Sequence, residues 1–267
     1  MNSLPIGVFD SGLGGLTVLK EIVKLLPNEN IIYLGDTARV PYGTRSKEVI
    51  NNFSFEDANF LLKQDVKCLV IACNTASAMS YKFLKTKIKL PIFEVITPAV
   101  KKALKVTKNQ KIGVIGTRAT IGSNAYDKKI YSENASVKIF SKPCPLFVPF
   151  VEEGEIKGGL IEEISKKYLK EIITKKPDTL IMGCTHYPII ESVIKKVTKN
   201  SMVLINPGIE VARDLKKYLL ENNLQNTNKK NGIHQYFVTD LNDRFLKVAE
   251  LFLGYKLDGR IKKVNLS

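Results

Sequence analysis

Two short stretches of this sequence carry residue types that could do chemistry. The first is Cys68-Leu-Val-Ile-Ala-Cys73-Asn74-Thr75-Ala-Ser77, and the second is Leu180-Ile-Met-Gly-Cys184-Thr185-His186-Tyr187-Pro188. Each is a compact apolar run broken by a cysteine and small polar residues, the pattern of a buried strand that ends abruptly. After the first, Met79 to Lys87 has helical character; after the second, Pro188 permits a helix to begin. A cysteine between a strand's carboxyl end and a helix's amino end meets unpaired backbone N–H groups and the positive end of a dipole. That setting is expected to draw a thiol below its free pKa of roughly 8.5. One such cysteine suggests a nucleophile, and two in matching surroundings suggest a pair of proton carriers.

Such a pair suits removal of a proton α to a carboxylate, which needs a base already in place and fixed donors for the developing charge. If a thiolate takes the proton from one face and a thiol returns one to the other, the stereocentre inverts. Two like groups then exchange roles when the direction reverses. Asn74, Thr75 and Thr185 are candidate donors to a substrate carboxylate, while Asp10 and His186 could orient or assist the proton transfers. Cys68, inside its strand, and Cys144, between Pro143 and Pro145, read as small core residues. With no Cys-x-x-Cys pair and two histidines, the chain is poorly supplied with soft ligands, so no metal is expected.

The elements that must position these residues alternate. Ile6-Gly-Val-Phe9 reads as a strand, and apolar residues at helical spacing follow from Leu16 to Leu26, stopped by Pro27-Asn28. A strand at Ile31–Leu34, a long helix from Ser46 to about Gln64 and a strand from Val66 to Ala72 complete a first series. A second series begins at Ile112-Gly-Val-Ile-Gly-Thr117, with a further strand from Val137 to Phe140. Ile31 lies 25 residues beyond Ile6, as Val137 does beyond Ile112, and the cysteines follow 67 and 72 residues after the same two starts. These offsets support an internal duplication of βαβ units with mostly parallel sheets. Two such units facing each other would bring Cys73 and Cys184 to one interface. Beyond Cys184 the pattern gives a strand at Val203–Ile205, a helix from Ile209 to about Leu220, a polar Asn222–Gly232 segment read as a mobile loop, a strand at Gln235–Val238 and a helix from Asn242 to Leu253.

Composition narrows the alternatives. A length of 267 residues with 44% apolar content supports a substantial core. The apolar runs are too short to cross a bilayer, and the first residues lack signal-peptide character, so a cytoplasmic protein with reduced thiols is expected. The net charge of +15 invites a nucleic-acid reading, but the surplus is lysine spread over helix faces, without an Arg-rich tract or zinc-finger spacing. The turn Asp10-Ser11-Gly12-Leu13-Gly14-Gly15 has neither the Gly-Lys-Ser/Thr ending of a phosphate loop nor the third glycine of a dinucleotide fingerprint.

Four segments, in order, resemble the signatures of the glutamate racemase family: Phe9 to Gly15, Gly35-Asp36-Thr37-Ala38-Arg39-Val40-Pro41-Tyr42-Gly43, Ala72 to Ala76 and Gly183 to Pro188. The resemblance implies a cofactor-independent isomerase that interconverts L- and D-glutamate and supplies D-glutamate for peptidoglycan and hence cell-wall synthesis. It also implies two α/β domains, residues 1–97 plus 209–267 and residues 98–208, with the active site at their interface, and a homodimer. Carried over, Cys73 and Cys184 are acid and base, assisted by Asp10, His186 and Glu152, with Glu153 an alternative to Glu152. Asp10, Ser11, Pro41, Tyr42, Gly43, Asn74, Thr75, Thr117, Thr185 and His186 contact the substrate. An aspartate or hydantoin racemase would share the thiol pair, though the segment from Asp36 to Gly43 argues against it. A basic nucleic-acid-binding protein is the reading from a different class.

Overall fold

The computed structural model describes residues 2–228, 230–241, 243–257 and 261–266. Among the described residues, ten strands form two sheets. The first contains β1 (Ile6–Asp10), β2 (Ile31–Gly35), β3 (Cys68–Ile71), β4 (Ile92–Glu94), β9 (His234–Val238) and β10 (Ile261–Lys263), in the order β10-β9-β2-β1-β3-β4. The second contains β5 (Lys111–Gly116), β6 (Lys138–Pro143), β7 (Thr179–Gly183) and β8 (Val203–Ile205), in the order β6-β5-β7-β8. Every pairing is parallel. Replacing β1 by β5, β2 by β6, β3 by β7 and β4 by β8 turns the core order of the first sheet into that of the second. The duplication inferred from sequence offsets is therefore a duplication of topology.

The central strands β1, β2, β3 and β7 are buried along their whole length. That is the state of a parallel sheet covered by helices on both faces, and it explains their near-continuous apolar sequences. In each unit the first strand lies between the second and the third, so successive connections leave it in opposite directions. A crevice opens at such a switch point, beyond the strands' carboxyl ends, where ligands of open α/β sheets bind. Asp10 and Cys73 lie at that point in the first unit, and Thr117 and Cys184 lie there in the second.

The chain passes to the second sheet after β4 and returns after β8. The expected domain limits fall within the first turns of the helices Ile96–Val106 and Pro207–Glu221, which pack on each other. No helix of the described residues is long and apolar enough to cross a membrane.

Several local expectations change. The helix after Cys73 runs Asn74–Lys87, starting at Asn74 rather than Met79, because the Cys73 sulfur accepts the Ala76 N–H and caps it. Beyond Cys184 a 3-10 turn, Tyr187–Ile190, precedes the helix Glu191–Val197. The Asn222–Gly232 segment is fastened rather than loose over its described residues. Lys67 Nζ donates to Glu29 Oε2 at 2.5 Å and to Leu224 O at 2.8 Å, Asn226 N–H donates to Glu29 Oε1 at 2.8 Å, and Gly232 N–H to Pro27 O at 2.8 Å. The last helix is Asp243–Leu253; Asn242, where the sequence starts it, lies outside the described residues. Strand β10 has no counterpart in the sequence reading.

Candidate active site

Cys73 follows the end of β3 and is 5% exposed. Its thiol donates to Ser11 Oγ at 3.4 Å, and its sulfur accepts from Ala76 N–H at 3.4 Å. Asp10, the last residue of β1, is buried beside it, and its Oδ2 accepts from Gly12 N–H at 2.9 Å. Burial pushes the Cys73 thiol up to about 12, the Asp10 charge adds to that, and the bonds to Ser11 and Ala76 oppose it. The expected acidification by the helix terminus is thus overturned. One N–H at long range does not outweigh removal of a thiolate from water. The Asp10 carboxyl is itself raised by burial, against the opposing pull of His186 and of the Gly15 and Gly12 N–H groups. Cys68 is also raised to about 12 by burial, so elevation alone does not distinguish Cys73; its place on a cavity wall does.

Cys184 follows β7 and is 6% exposed. Its sulfur lies 3.9 Å from His186 Nδ1, and His186 Nε2 lies 2.9 Å from Glu152 Oε1. Burial works against an imidazolium here, but hydrogen bonds and charge from Cys184 and Glu152 prevail and raise the His186 pKa to about 10. A proton is therefore held next to the Cys184 sulfur. The Phe252 ring backs the imidazole edge-on, with centroids 5.3 Å apart. Glu153 stands exposed at the end of the helix Phe147–Glu152, whereas Glu152 faces His186.

The two cysteine segments are tied to the first glycine turn. Thr17 Oγ1 donates to Thr185 O at 2.7 Å and to Gly14 O at 2.9 Å. A Cβ on Gly14 would stand 2.0 Å from Thr185 Oγ1 and 2.6 Å from His186 Nδ1, so only glycine allows this approach. On the other side Thr75 Oγ1 lies 3.0 Å from Thr117 Oγ1 and 3.2 Å from Thr120 Oγ1, joining the amino ends of helices from both units. The Tyr42 hydroxyl donates toward Asp36 Oδ2 at 2.6 Å and Asp57 Oδ2 at 3.0 Å, and Arg39 pairs with Asp36, Glu56 and Asp57. This network fixes the segment that carries Pro41, Tyr42 and Gly43.

One cavity of about 310 Å³ gathers all the candidates but Glu153 at the carboxyl ends of both sheets. Asp10, Ser11, Cys73, Asn74 and Thr75 line it from the first unit, Thr117, Glu152, Cys184, Thr185 and His186 from the second, and Pro41, Tyr42 and Gly43 from the loop after β2. The volume suits a small molecule. Arg118, Val40, Val148 and Pro149 also line it and were not singled out by sequence. Arg118 had a usable signal, since it directly follows Thr117 at the end of β5.

The model of the Asp/Glu/Hydantoin racemase family matches residues 6–213. The chain belongs to that family. A glutamate racemase of Geobacter metallireducens is 44% identical over 261 residues, 98% of this chain and 96% of the relative. One from Thermoanaerobacter pseudethanolicus is 43% identical over 258 residues, 97% of this chain and 96% of the relative. The crystal structure of glutamate racemase from Francisella tularensis in complex with D-glutamate superposes with a TM-score of 0.94 at 42% identity, covering 100% of this chain and 99% of that one. That superposition covers the whole chain, including β9 and β10, which lie beyond residues 6–213.

Proposed function

We propose that this protein is a glutamate racemase, an isomerase that interconverts L- and D-glutamate by proton transfer at the α-carbon between Cys73 and Cys184, without a cofactor. The observation that carries this reading is that both cysteines, each just past the third strand of its unit, line one cavity. The sulfur that begins as thiolate takes the α-proton from one face, leaving the electron pair on carbon and the adjoining carboxylate. The opposite thiol gives its proton to the other face and becomes the thiolate. No atom is gained or lost, and the enantiomer formed is substrate for the return. His186, held protonated by Cys184 and Glu152, offsets charge at Cys184. Asp10 and Ser11 stand at Cys73, where Asp10 disfavours an idle thiolate. Asn74, Thr75, Thr117 and Thr185 offer donors to the substrate carboxylates, and Pro41, Tyr42 and Gly43 close the remaining wall.

The domains are residues 1–97 plus 209–267 and residues 98–208, the chain forms a homodimer in the cytoplasm, and its product serves peptidoglycan synthesis. The full-length relatives named glutamate racemase, one of them bound to D-glutamate, support that substrate.

The test follows the circular dichroism of L- and D-glutamate with purified protein, free of added pyridoxal phosphate or metal, in ordinary and deuterated water. Racemisation with solvent deuterium at the α-carbon is expected. Cys73→Ala and Cys184→Ala should each lose at least about a hundredfold in kcat, the scale of a positioned acid or base. Undiminished racemisation in either folded variant removes that cysteine from the mechanism.

A further inference from the structure

Tyr126 touches both cysteine segments and has no part in the proton transfer itself. It sits on the helix Ala125–Glu133 and is buried. Its ring packs under Gly183, where an added Cβ would come within 3.0 Å of Tyr126 Cε2. Its hydroxyl donates to Asn74 Oδ1 at 2.6 Å. Gly183 precedes Cys184 and Asn74 follows Cys73, so one phenol spans the two halves of the site.

The bond has a consequence for Asn74. With Oδ1 accepting the phenol's O–H, turning the amide over would exchange that bond for one from an amide N–H to the phenol oxygen and take from the phenol O–H the acceptor it now has, so the bond favours the orientation with Nδ2 turned away. In that orientation Nδ2 is buried and has no hydrogen-bond partner among the described residues, while Asn74 lines the cavity. A buried donor left unpaired is costly, and natural structures keep few without a reason. Inverted, the same side chain would offer a carbonyl oxygen to an anionic substrate. Burial holds the Tyr126 phenol well above its ordinary pKa, so it remains a donor throughout the neutral range.

We infer that Tyr126 is a positioning residue that locks the Asn74 amide with Nδ2 reserved for a carboxylate of the substrate, and so orients a glutamate donor from the opposite half of the site. This rests on the racemase reading above. Tyr126→Phe keeps the ring against Gly183 and removes only the hydroxyl. KM for D-glutamate should rise about tenfold, the worth of a buried hydrogen bond, with kcat changed far less. A merely structural defect would reduce the folded fraction and hence kcat, leaving KM unmoved. Asn74→Ala supplies the second arm. If Tyr126 acts through Asn74, the Tyr126→Phe/Asn74→Ala double variant is no worse than Asn74→Ala within about twofold. An unchanged KM in Tyr126→Phe, or the full tenfold loss persisting in the Asn74→Ala background, overturns the inference. Absence of glutamate racemisation in the unaltered protein would overturn the parent reading as well, a result the variants do not imitate.

Discussion

Cys73 and Cys184 match in sequence and in position, yet their neighbours prepare them differently. Cys73 has a carboxylate at its side and is pushed up to about 12, first by burial and then by Asp10. Cys184 has His186, whose proton is retained up to about 10 by Cys184 and Glu152. The site at rest therefore presents a thiol on one face and a sulfur beside a cation on the other, the asymmetry that a first proton transfer needs. A residue-scale prediction follows from Asp10. Replacing it by Asn removes an anion that disfavours the Cys73 thiolate, so the Cys73 pKa must fall. Iodoacetamide labelling of Cys73, followed by mass spectrometry across a pH series, should begin at lower pH in Asp10→Asn than in the unaltered protein, even as kcat declines. Labelling profiles that superimpose would show that Asp10 exerts no charge on this thiol.

At the scale of elements, Gly14 decides how closely the first turn and the second cysteine segment can approach. Gly14→Ala would drive a methyl group into Thr185 and His186, whose ring has Phe252 behind it. Overpacking of this kind costs about 1–3 kcal/mol in stability. Racemisation should drop by a larger factor than stability suggests, because a displacement of about 1 Å at a reacting group can cost roughly a hundredfold. Activity near the unaltered level, in a variant whose far-ultraviolet circular dichroism is unchanged, would mean that His186 need not hold this place. The same contact shows what sequence could and could not reveal. Strands β1, β3, β5 and β7 were legible because apolar runs ended in breaks, and the cysteines were legible because they stood at those breaks. The start at Asn74 was hidden, since Asn, Thr and Ser read as turn residues until a capping sulfur is known. The Glu152–His186 pair and the Tyr126–Asn74 bond join residues 34 and 52 positions apart, with no local signature. The fastening of Leu224 and Asn226 is hidden for the same reason: their anchor, the Lys67–Glu29 pair, lies far away in the chain.

For the whole molecule, the net charge of +15 bears on how substrate arrives rather than on what the chain is. Glutamate carries one net negative charge near neutrality, while the cavity wall includes the carboxylates of Asp10 and Glu152. Local repulsion is offset by His186 and by Arg118, which lines the cavity and is exposed to solvent. The more distant lysines add a positive field that raises the concentration of small anions near the surface. Salt shortens the reach of that field from about 10 Å at 0.1 M to about 3 Å at 1 M, so the remote lysines are screened first and the cavity charges last. KM for glutamate should accordingly rise by roughly threefold between low and molar salt, with kcat nearly constant, since the chemistry proceeds inside a wall that screening reaches poorly. Arg118→Gln should raise KM at low salt and flatten its salt dependence. A nucleic-acid-binding surface would behave otherwise, losing about a thousandfold or more in affinity over a few-fold change in salt because many phosphate contacts release counterions together. A KM that does not move with salt in either protein would mean that the lysine surplus and Arg118 do not act on the substrate.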